Sequence, residues 1–121
     1  MGAMDCRKMR CLKIHDKWIK LILNESKTWE IRRTNTKIRE RIALGNMKTK
    51  CVEGYCTIVG SKEMTVEDLK KHNDEHQANY FIDEYAKGRK TLFIWVFEDV
   101  EVEPNPKPYS YSTGLWCKVR V

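Results

Sequence analysis

The sequence has no long apolar run and no C-x-x-C cysteine pair, and these absences narrow the class of protein. No stretch reaches the roughly 18 apolar residues that a membrane span needs, and no basic-then-apolar leader opens the chain. We therefore expect a cytoplasmic protein that does not engage a membrane. The cysteines are odd in number and lack C-x-x-C spacing, which indicates reduced thiols rather than disulfides or a zinc knuckle. They are Cys6, Cys11, Cys51, Cys56 and Cys117.

Glycine and proline are also scarce, with six and three residues among 121. The sequence contains no internal repeat and no low-complexity tract. A chain of this length builds one core and buries roughly two-thirds of its unfolded surface. We therefore predict one domain over residues 5–121, and we interpret residues 1–4, MGAM, as a vector remnant.

Apolar periodicity predicts an α+β fold. The helix signals are a first helix with Asp16 as its N-cap and a helical stretch over 65–88 that breaks near Asn73. The prolines predict a loop over 104–114, and Gly54 marks a β-bulge. Helices inserted between strands without a βαβ rhythm favour a small, curled, mostly antiparallel β-barrel with flanking helices. Strands are predicted over 7–14, 28–34, 39–45, 51–61, 91–103 and 115–121.

The positive charge is concentrated in one segment. Residues 27–50 hold eight basic and two acidic side chains, which accounts for the whole formal charge of +6. This pattern is typical of contact with phosphate groups, although a solvated basic face without a partner gives the same pattern.

The stretch ESKTWEIR gathers side chains suited to acid-base chemistry. In the strand that follows Lys27, side chains alternate, so Thr28, Glu30 and Arg32 share one face. A lysine and a glutamate in a partly dry cleft shift each other's pKa, which is one way to obtain a proton carrier near neutral pH. A plain network of ion pairs remains the alternative at this point.

Other residues are candidates for ligand binding. Trp18 and Trp29 are suited to stacking on a nucleobase, and Asn35 and Arg39 to contact with phosphate or base edges. The sequence HNDEH at 72–76 also fits the H-x-x-E-H pattern of some zinc peptidases, but a third ligand and an enclosed cleft are not apparent, so we predict no metal and no other cofactor.

ESKTWEIR resembles the G-x-K-x-x-E-x-R signature of the ASCH domain family, which is similar to PUA domains. Lys27, Glu30 and Arg32 match the signature, and Glu25 stands in place of its glycine. The stretches IHDKWIKLIL, RRTNTKIRERIAL and YSYSTGLWCKV also resemble the family, so the likeness covers most of the chain. It implies a small β-barrel with a helix-flanked cleft and a nucleoside or nucleic-acid ligand.

Some small ASCH proteins are amidohydrolases of N4-acylated cytidines, in which a lysine works with a threonine and a glutamate. Here Glu30 holds the place of the threonine, and Glu75, Asp74 and His76 are the candidates for the downstream glutamate. The resemblance thus implies a metal-independent hydrolase with Lys27, Glu30 and Glu75 as catalytic residues and a modified cytosine as its small-molecule partner. The alternative is a non-catalytic module that binds RNA or a modified nucleobase, and a ribonuclease is a weaker option.

Overall fold

The computed structural model describes residues 8–110 and 114–120. Their core element is a mixed, six-stranded half-barrel sheet with flanking helices. The strand order is β2-β5-β4-β3-β1-β6; the β1–β3 pair is parallel and the other pairs are antiparallel. The α+β, mostly antiparallel fold is thereby confirmed. The strands are β1 (Lys8–Ile14), β2 (Trp29–Arg32), β3 (Arg41–Asn46), β4 (Cys51–Thr65), β5 (Thr91–Pro108) and β6 (Trp116–Arg120).

The first helix, α1 (Asp16–Leu23), buries one face against the sheet. Ile19 and Ile22 are fully buried in a cluster with strand residues such as Trp95 and Phe97. Asp16 is the first residue of the helix rather than its N-cap, because His15 occupies the cap position. The Asp16 carboxylate accepts hydrogen bonds from Asn46 and Lys20 instead.

The helical stretch between β4 and β5 is broken into short pieces. Thr65 caps its start by accepting a hydrogen bond from the backbone N–H of Asp68. Left-handed backbone at Gln77 and Lys87 ends two of the pieces. Leu69 and Ile82 anchor the stretch in a second cluster over the sheet. The pieces are α2 (Val66–Leu69), a 3-10 turn (Lys70–His72), α3 (Asn73–His76), a 3-10 turn (Asn79–Phe81) and α4 (Ile82–Ala86).

The long antiparallel pair of β4 and β5 corrects one prediction and confirms another. We predicted a loop from Pro104, but β5 continues to Pro108. Pro104 and Pro106 fall within a shift of register against β4, where a missing N–H breaks no ladder bond. Gly54 lies at the same irregularity, as predicted for a bulge.

Three of the cysteines, Cys11, Cys56 and Cys117, are buried free thiols, and Cys51 is half-buried. Cys6 and residues 1–4 lie outside the described residues. Among the residues that the structure describes, no helix is both long and apolar enough to cross a membrane.

Candidate active site

A cleft of about 830 Å³ opens between α1, the edge strand β2 and the second helical stretch. Trp18, which packs against both core clusters, stands in its wall. The volume of the cleft falls within the range of small-molecule sites, roughly 300–1,000 Å³. The cleft is lined by Lys13, His15, Asp16, Lys17, Trp18, Lys27, Glu30, Ile31, Arg32, Arg33, Met47, Ala78, Phe81, Ile82, Tyr85, Gly114 and Leu115.

The end of α1 determines where Lys27 lies. Glu25 adopts the left-handed conformation, with φ of 65°, and its N–H bonds to the carbonyl of Ile22. The next N–H, that of Ser26, bonds to the carbonyl of Leu21. These bonds form a Schellman motif, which turns the chain sharply out of the helix. Lys27 follows directly and is carried into the interior, where it is only 2% exposed.

Lys27, Glu30 and Arg32 form one contiguous cluster, which we call the inner charge group. The Nζ atom of Lys27 lies 3.6 Å from Oε1 of Glu30. Arg32 donates from Nη2 and Nε to Oε2 of the same carboxylate, at 2.6 and 3.0 Å. Each carboxylate oxygen therefore faces one cation. The structure brings together the three residues that the sequence motif predicted to act together.

Burial lowers the pKa of Lys27 below its ordinary value of 10.5. The nearby Glu30 carboxylate opposes this shift, and the positive charge of Arg32 adds to it. A lysine that loses its proton more easily than usual is suited to exchange protons with a ligand. The Nζ atom also lies 4.9 Å from the centre of the Trp18 ring, in the cleft wall.

His76 holds the other side of Lys27. Its backbone carbonyl accepts a 2.6 Å hydrogen bond from Lys27 Nζ. The imidazole is fully buried, with Nδ1 accepting from the N–H of Ala78 and Nε2 within 2.6 Å of the carbonyl of Leu69. These partners require a neutral ring with its proton on Nε2, and burial lowers the pKa of His76.

The H-x-x-E-H pattern therefore has a structural explanation. Both ring nitrogens of His76 are engaged by the backbone, and Nδ1 of His72 lies 3.1 Å from Glu75 Oε1. The described residues contain no cluster of three metal-ligating side chains. The sequence pattern gave no sign that the backbone carbonyl of His76 would accept a hydrogen bond from the side chain of Lys27, because that contact spans 49 residues.

The ASCH domain family model matches residues 12–106. The chain belongs to the ASCH domain family. Its fold is similar to the crystal structure of ASCH from Zymomonas mobilis, with a TM-score of 0.71 at 17% identity over 82% of this chain and 72% of that chain. The crystal structure of a mutant form of that protein is similar over 96% of this chain and 91% of the mutant chain, with a TM-score of 0.77 at 17% identity. No curated protein matches the sequence significantly.

The glycine of the ASCH signature corresponds to Glu25, at the left-handed position of the Schellman motif. Glycine adopts a positive φ without the steric cost that a Cβ atom imposes. In this chain a glutamate takes the same conformation, with φ of 65°. The departure from the signature thus leaves the turn before Lys27 intact.

Several predicted site residues of this ASCH domain lie outside the cleft lining. Thr28 is exposed, and its N–H bonds to the carbonyl of Glu75. The Glu75 side chain faces His72, and the Trp29 ring lies 5.0 Å from the His72 ring. The Lys62 ammonium lies 5.9 Å from the Trp29 ring centre. We call Trp29, Lys62, His72 and Glu75 the outer group.

Asn35 and Arg39 likewise border a different part of the surface. Both contact Ser61 on β4, at 2.7 and 2.8 Å. Arg39 also donates to the carbonyls of Thr36 and Ile38. These bonds fix the exposed loop between β2 and β3. The basic segment is therefore divided between the cleft, which is lined by Lys27, Arg32 and Arg33, and surfaces outside that lining.

The second helical stretch supplies an aromatic wall that we did not predict. The Phe81 ring centre lies 6.0 Å from that of Trp18 and 6.0 Å from that of Tyr85. The one signal in the sequence was the i, i+4 spacing of Phe81 and Tyr85 beside the buried Ile82. That spacing reports a shared helix face but cannot show which surface the face meets.

Proposed function

We propose that this protein is an amidohydrolase that removes the acyl group from N4-acylated cytosine compounds. The observation that supports the proposal is Lys27. This side chain is buried, has a lowered pKa, and borders a cleft next to the Glu30 carboxylate. A lysine with a lowered pKa releases its proton more readily than usual, so it is suited to accept and return a proton during a reaction. RNA binding and hydrolysis are the activities proposed for ASCH domains.

The cleft offers the two environments that an acylated cytosine needs. Trp18 and Phe81 give an apolar wall for a flat ring, and the inner charge group gives a polar wall for the amide. An ordinary nucleoside site likewise combines an aromatic surface with a few fixed polar groups. Thr28 and Glu75 have no part in the proposed chemistry, because neither lines the cleft.

The proposed reaction needs only water and the inner charge group. Neutral Lys27 takes a proton from a water molecule as the water oxygen bonds to the acyl carbon. The resulting ammonium then gives a proton to the N4 nitrogen as the carbon–nitrogen bond breaks. The products are a carboxylic acid and the free cytosine amine, and Lys27 returns to its neutral form. Glu30, 3.6 Å away, stabilises the ammonium between the two transfers.

Arg32 is the proposed donor to the oxyanion that forms on the acyl oxygen. Its contacts with Glu30 use Nε and Nη2, and a guanidinium carries five N–H donors in all. Fixed donors of this kind typically contribute ~3–4 kcal/mol to the transition state.

The test is hydrolysis of N4-acetylcytidine by the wild type and by Lys27→Met, with released cytidine measured by chromatography. Methionine preserves the length of the apolar side chain and removes the amine. We expect turnover to fall by about a thousandfold or more, as for loss of a group that acts in every proton transfer. Lys71→Met is the matched control, because Lys71 is an exposed lysine outside the cleft lining.

The pH dependence gives a second readout of the same step. Only neutral Lys27 accepts a proton, so kcat/KM is expected to rise with pH until it passes the Lys27 pKa, which lies below 10.5. A folded wild type that hydrolyses none of several acyl chains contradicts the proposal.

A specific observation also favours the alternative of a non-catalytic binding module. The cleft lining contains five lysine and arginine side chains against two carboxylates among the described residues, and Lys27 is held by a short bond to a carbonyl. A fixed cation is a good donor to a nucleobase or a phosphate. Binding of a cytosine compound without turnover, weakened in Lys27→Met, would identify the module.

A further inference from the structure

Two cations in the cleft, Lys17 and Arg33, have no carboxylate within 4 Å among the described residues. Other basic side chains are paired: Arg32 with Glu30, for example, and Arg41 with Glu101. The carboxylates in the described cleft lining are Asp16 and Glu30. Asp16 faces Asn46 and Lys20, and Glu30 faces Lys27 and Arg32. Within the part of the chain that the structure describes, no carboxylate therefore neutralises Lys17 or Arg33 in the cleft.

Lys17 is held in place by aromatic rings rather than by an acid. Its Nζ atom donates to the hydroxyl of Tyr80 at 2.8 Å. The same atom lies 4.9, 5.0 and 5.7 Å from the ring centres of Trp18, Tyr80 and Phe81. Ring faces attract a cation without cancelling its charge. Lys17 therefore keeps its attraction for an anion, and these contacts favour one position of its exposed side chain.

Arg33 is held in a similar way by the next ring along the aromatic wall, that of Tyr85. Its guanidinium carbon lies 4.2 Å from the Tyr85 ring centre, and Nε donates to the Tyr85 carbonyl at 2.9 Å. These contacts leave the two terminal nitrogens of the guanidinium for a ligand. A planar guanidinium with two free donors matches the geometry of a phosphate group.

We propose that Lys17 and Arg33 form an anion subsite of the cleft, which binds a phosphate group carried by the ligand. Phe81 links the two cations, since Lys17 lies over its ring and Tyr85 adjoins it at 6.0 Å. Anchoring both side chains before binding lowers the conformational entropy that the ligand must remove. The subsite lies along the aromatic wall, and the inner charge group adjoins the same wall at Trp18.

The anion subsite deepens the proposed function. Its assignment rests on that function for the identity of the base that the cleft binds. A ligand that places a modified cytosine against the inner charge group and an anion on Lys17 and Arg33 is a nucleotide rather than a free nucleoside. Its phosphate belongs either to a mononucleotide or to an RNA chain, and both present the same oxygens to the two cations.

The first experiment measures binding and does not depend on turnover. Calorimetric titrations compare cytidine with cytidine 5′-monophosphate for the wild type, Lys17→Met and Arg33→Gln. We expect the phosphate to tighten wild-type binding by about tenfold or more, since one charge-assisted contact typically contributes that factor. Each variant is expected to lose most of this gain and to bind cytidine almost as the wild type does.

The matched controls are cations on aromatic rings outside the cleft lining. Lys62 lies over Trp29 and Arg41 over Tyr55, both at 5.9 Å. Lys62→Met and Arg41→Gln are expected to retain the preference for the phosphate. Circular dichroism and denaturant unfolding of each variant confirm that a lost preference is not a lost fold.

Three results would overturn the subsite. The wild type could bind cytidine and its monophosphate with equal affinity, or the control variants could lose the preference for the phosphate as Lys17→Met and Arg33→Gln do. The third is that the wild type binds neither compound and no short oligoribonucleotide. Tight binding of the monophosphate assigns the phosphate to a mononucleotide, and selective binding of the oligoribonucleotide assigns it to RNA. Either supports the subsite. Hydrolysis of N4-acetylcytidine with no preference for a phosphate would leave the proposed function intact while removing this inference.

Discussion

The inner charge group and the outer group flank the same short strand and contain similar side chains, but they differ in burial. Lys27 and Glu30 have side chains only 2% and 6% exposed, whereas His72 and Glu75 are 42% and 38% exposed. Each group combines a basic side chain, a carboxylate and a nearby tryptophan. One group lines a cleft, and the other lies on a surface open to solvent.

The comparison shows that residue types alone do not define a site. Two unit charges 4 Å apart interact with about 1 kcal/mol in water and about 4 kcal/mol at the effective dielectric near a protein surface. Exposed pairs are also screened by salt and typically contribute less than about 1 kcal/mol. The same kind of pairing is therefore a stronger interaction in the buried cleft than on the exposed surface.

The largest expected difference in stability between the two groups comes from removing the carboxylate of each group in turn. Glu30→Gln leaves Lys27 and Arg32 buried with no anion between them, and we expect it to lower the free energy of unfolding by about 3–5 kcal/mol. Glu75→Gln removes an exposed partner of His72, and we expect a loss of about 0–1 kcal/mol. Urea unfolding at pH 7 measures both.

Equal losses in the two glutamate variants would show that burial does not separate the groups. The double variant Lys27→Met, Glu30→Gln provides a further check. If an unpaired buried lysine causes the cost, removing that lysine as well restores part of the lost stability.

A smaller difference is expected between His76 and His72. His76→Gln removes two buried hydrogen bonds to the backbone and is expected to cost about 2–4 kcal/mol at pH 7.5. His72→Gln alters a partly exposed contact and is expected to cost about 0.5 kcal/mol or less.

The stability that His76 contributes should also depend on pH. The pKa of His76 is lowered from 6.5, so the unfolded chain binds a proton more readily than the folded one. The stability that neutral His76 contributes is fully present above pH 6.5 and is lost as the pH falls through its lowered pKa. The advantage of the wild type over His76→Gln is therefore expected to shrink between pH 7.5 and pH 5. A constant difference over this range would contradict a neutral, buried His76.

The smallest expected change in stability concerns the turn at Glu25, which precedes the residues of β2 that belong to the two groups. Glu25→Gly places a residue without a Cβ atom at a φ of 65°, and we expect it to stabilise the protein by about 0.5–1 kcal/mol. Glu25→Ala keeps the Cβ atom and is the matched control, with little change expected. Thermal unfolding of the two variants measures the difference, and a Gly variant no more stable than the Ala variant would argue against strain at this turn.

Local signals predicted most of the elements. The strands β1, β3 and β4 and the start of β5 lie within a few residues of their predicted positions, because alternation and β-branched residues act over a few neighbours. The end of β5 was missed, because Pro104 and Pro106 indicate a loop unless a register shift in the partner strand removes the ladder bonds they would break.

The grouping of the candidate residues was predicted where it depends on spacing along one segment. Lys27, Glu30 and Arg32 lie within six residues, so one helix end and one strand bring them together. Alternation also predicted that Thr28 would lie beside Glu30 and Arg32. Because β2 is an edge strand, Ile31 and Arg33 border the cleft as well, whereas Thr28 is exposed.

The sequence by itself determined the family, the elements and the Lys27, Glu30 and Arg32 cluster, because each depends on residues close together in the chain. Only the tertiary structure decided which candidates share the cleft. It placed Trp29, Glu75, Asn35 and Arg39 elsewhere, and it brought the carbonyl of His76 to Lys27 and the ring of Tyr85 to Arg33, across 49 and 52 residues. Contacts between residues so far apart in the chain depend on how the helical stretch packs against the sheet, and no local sequence pattern predicts that packing.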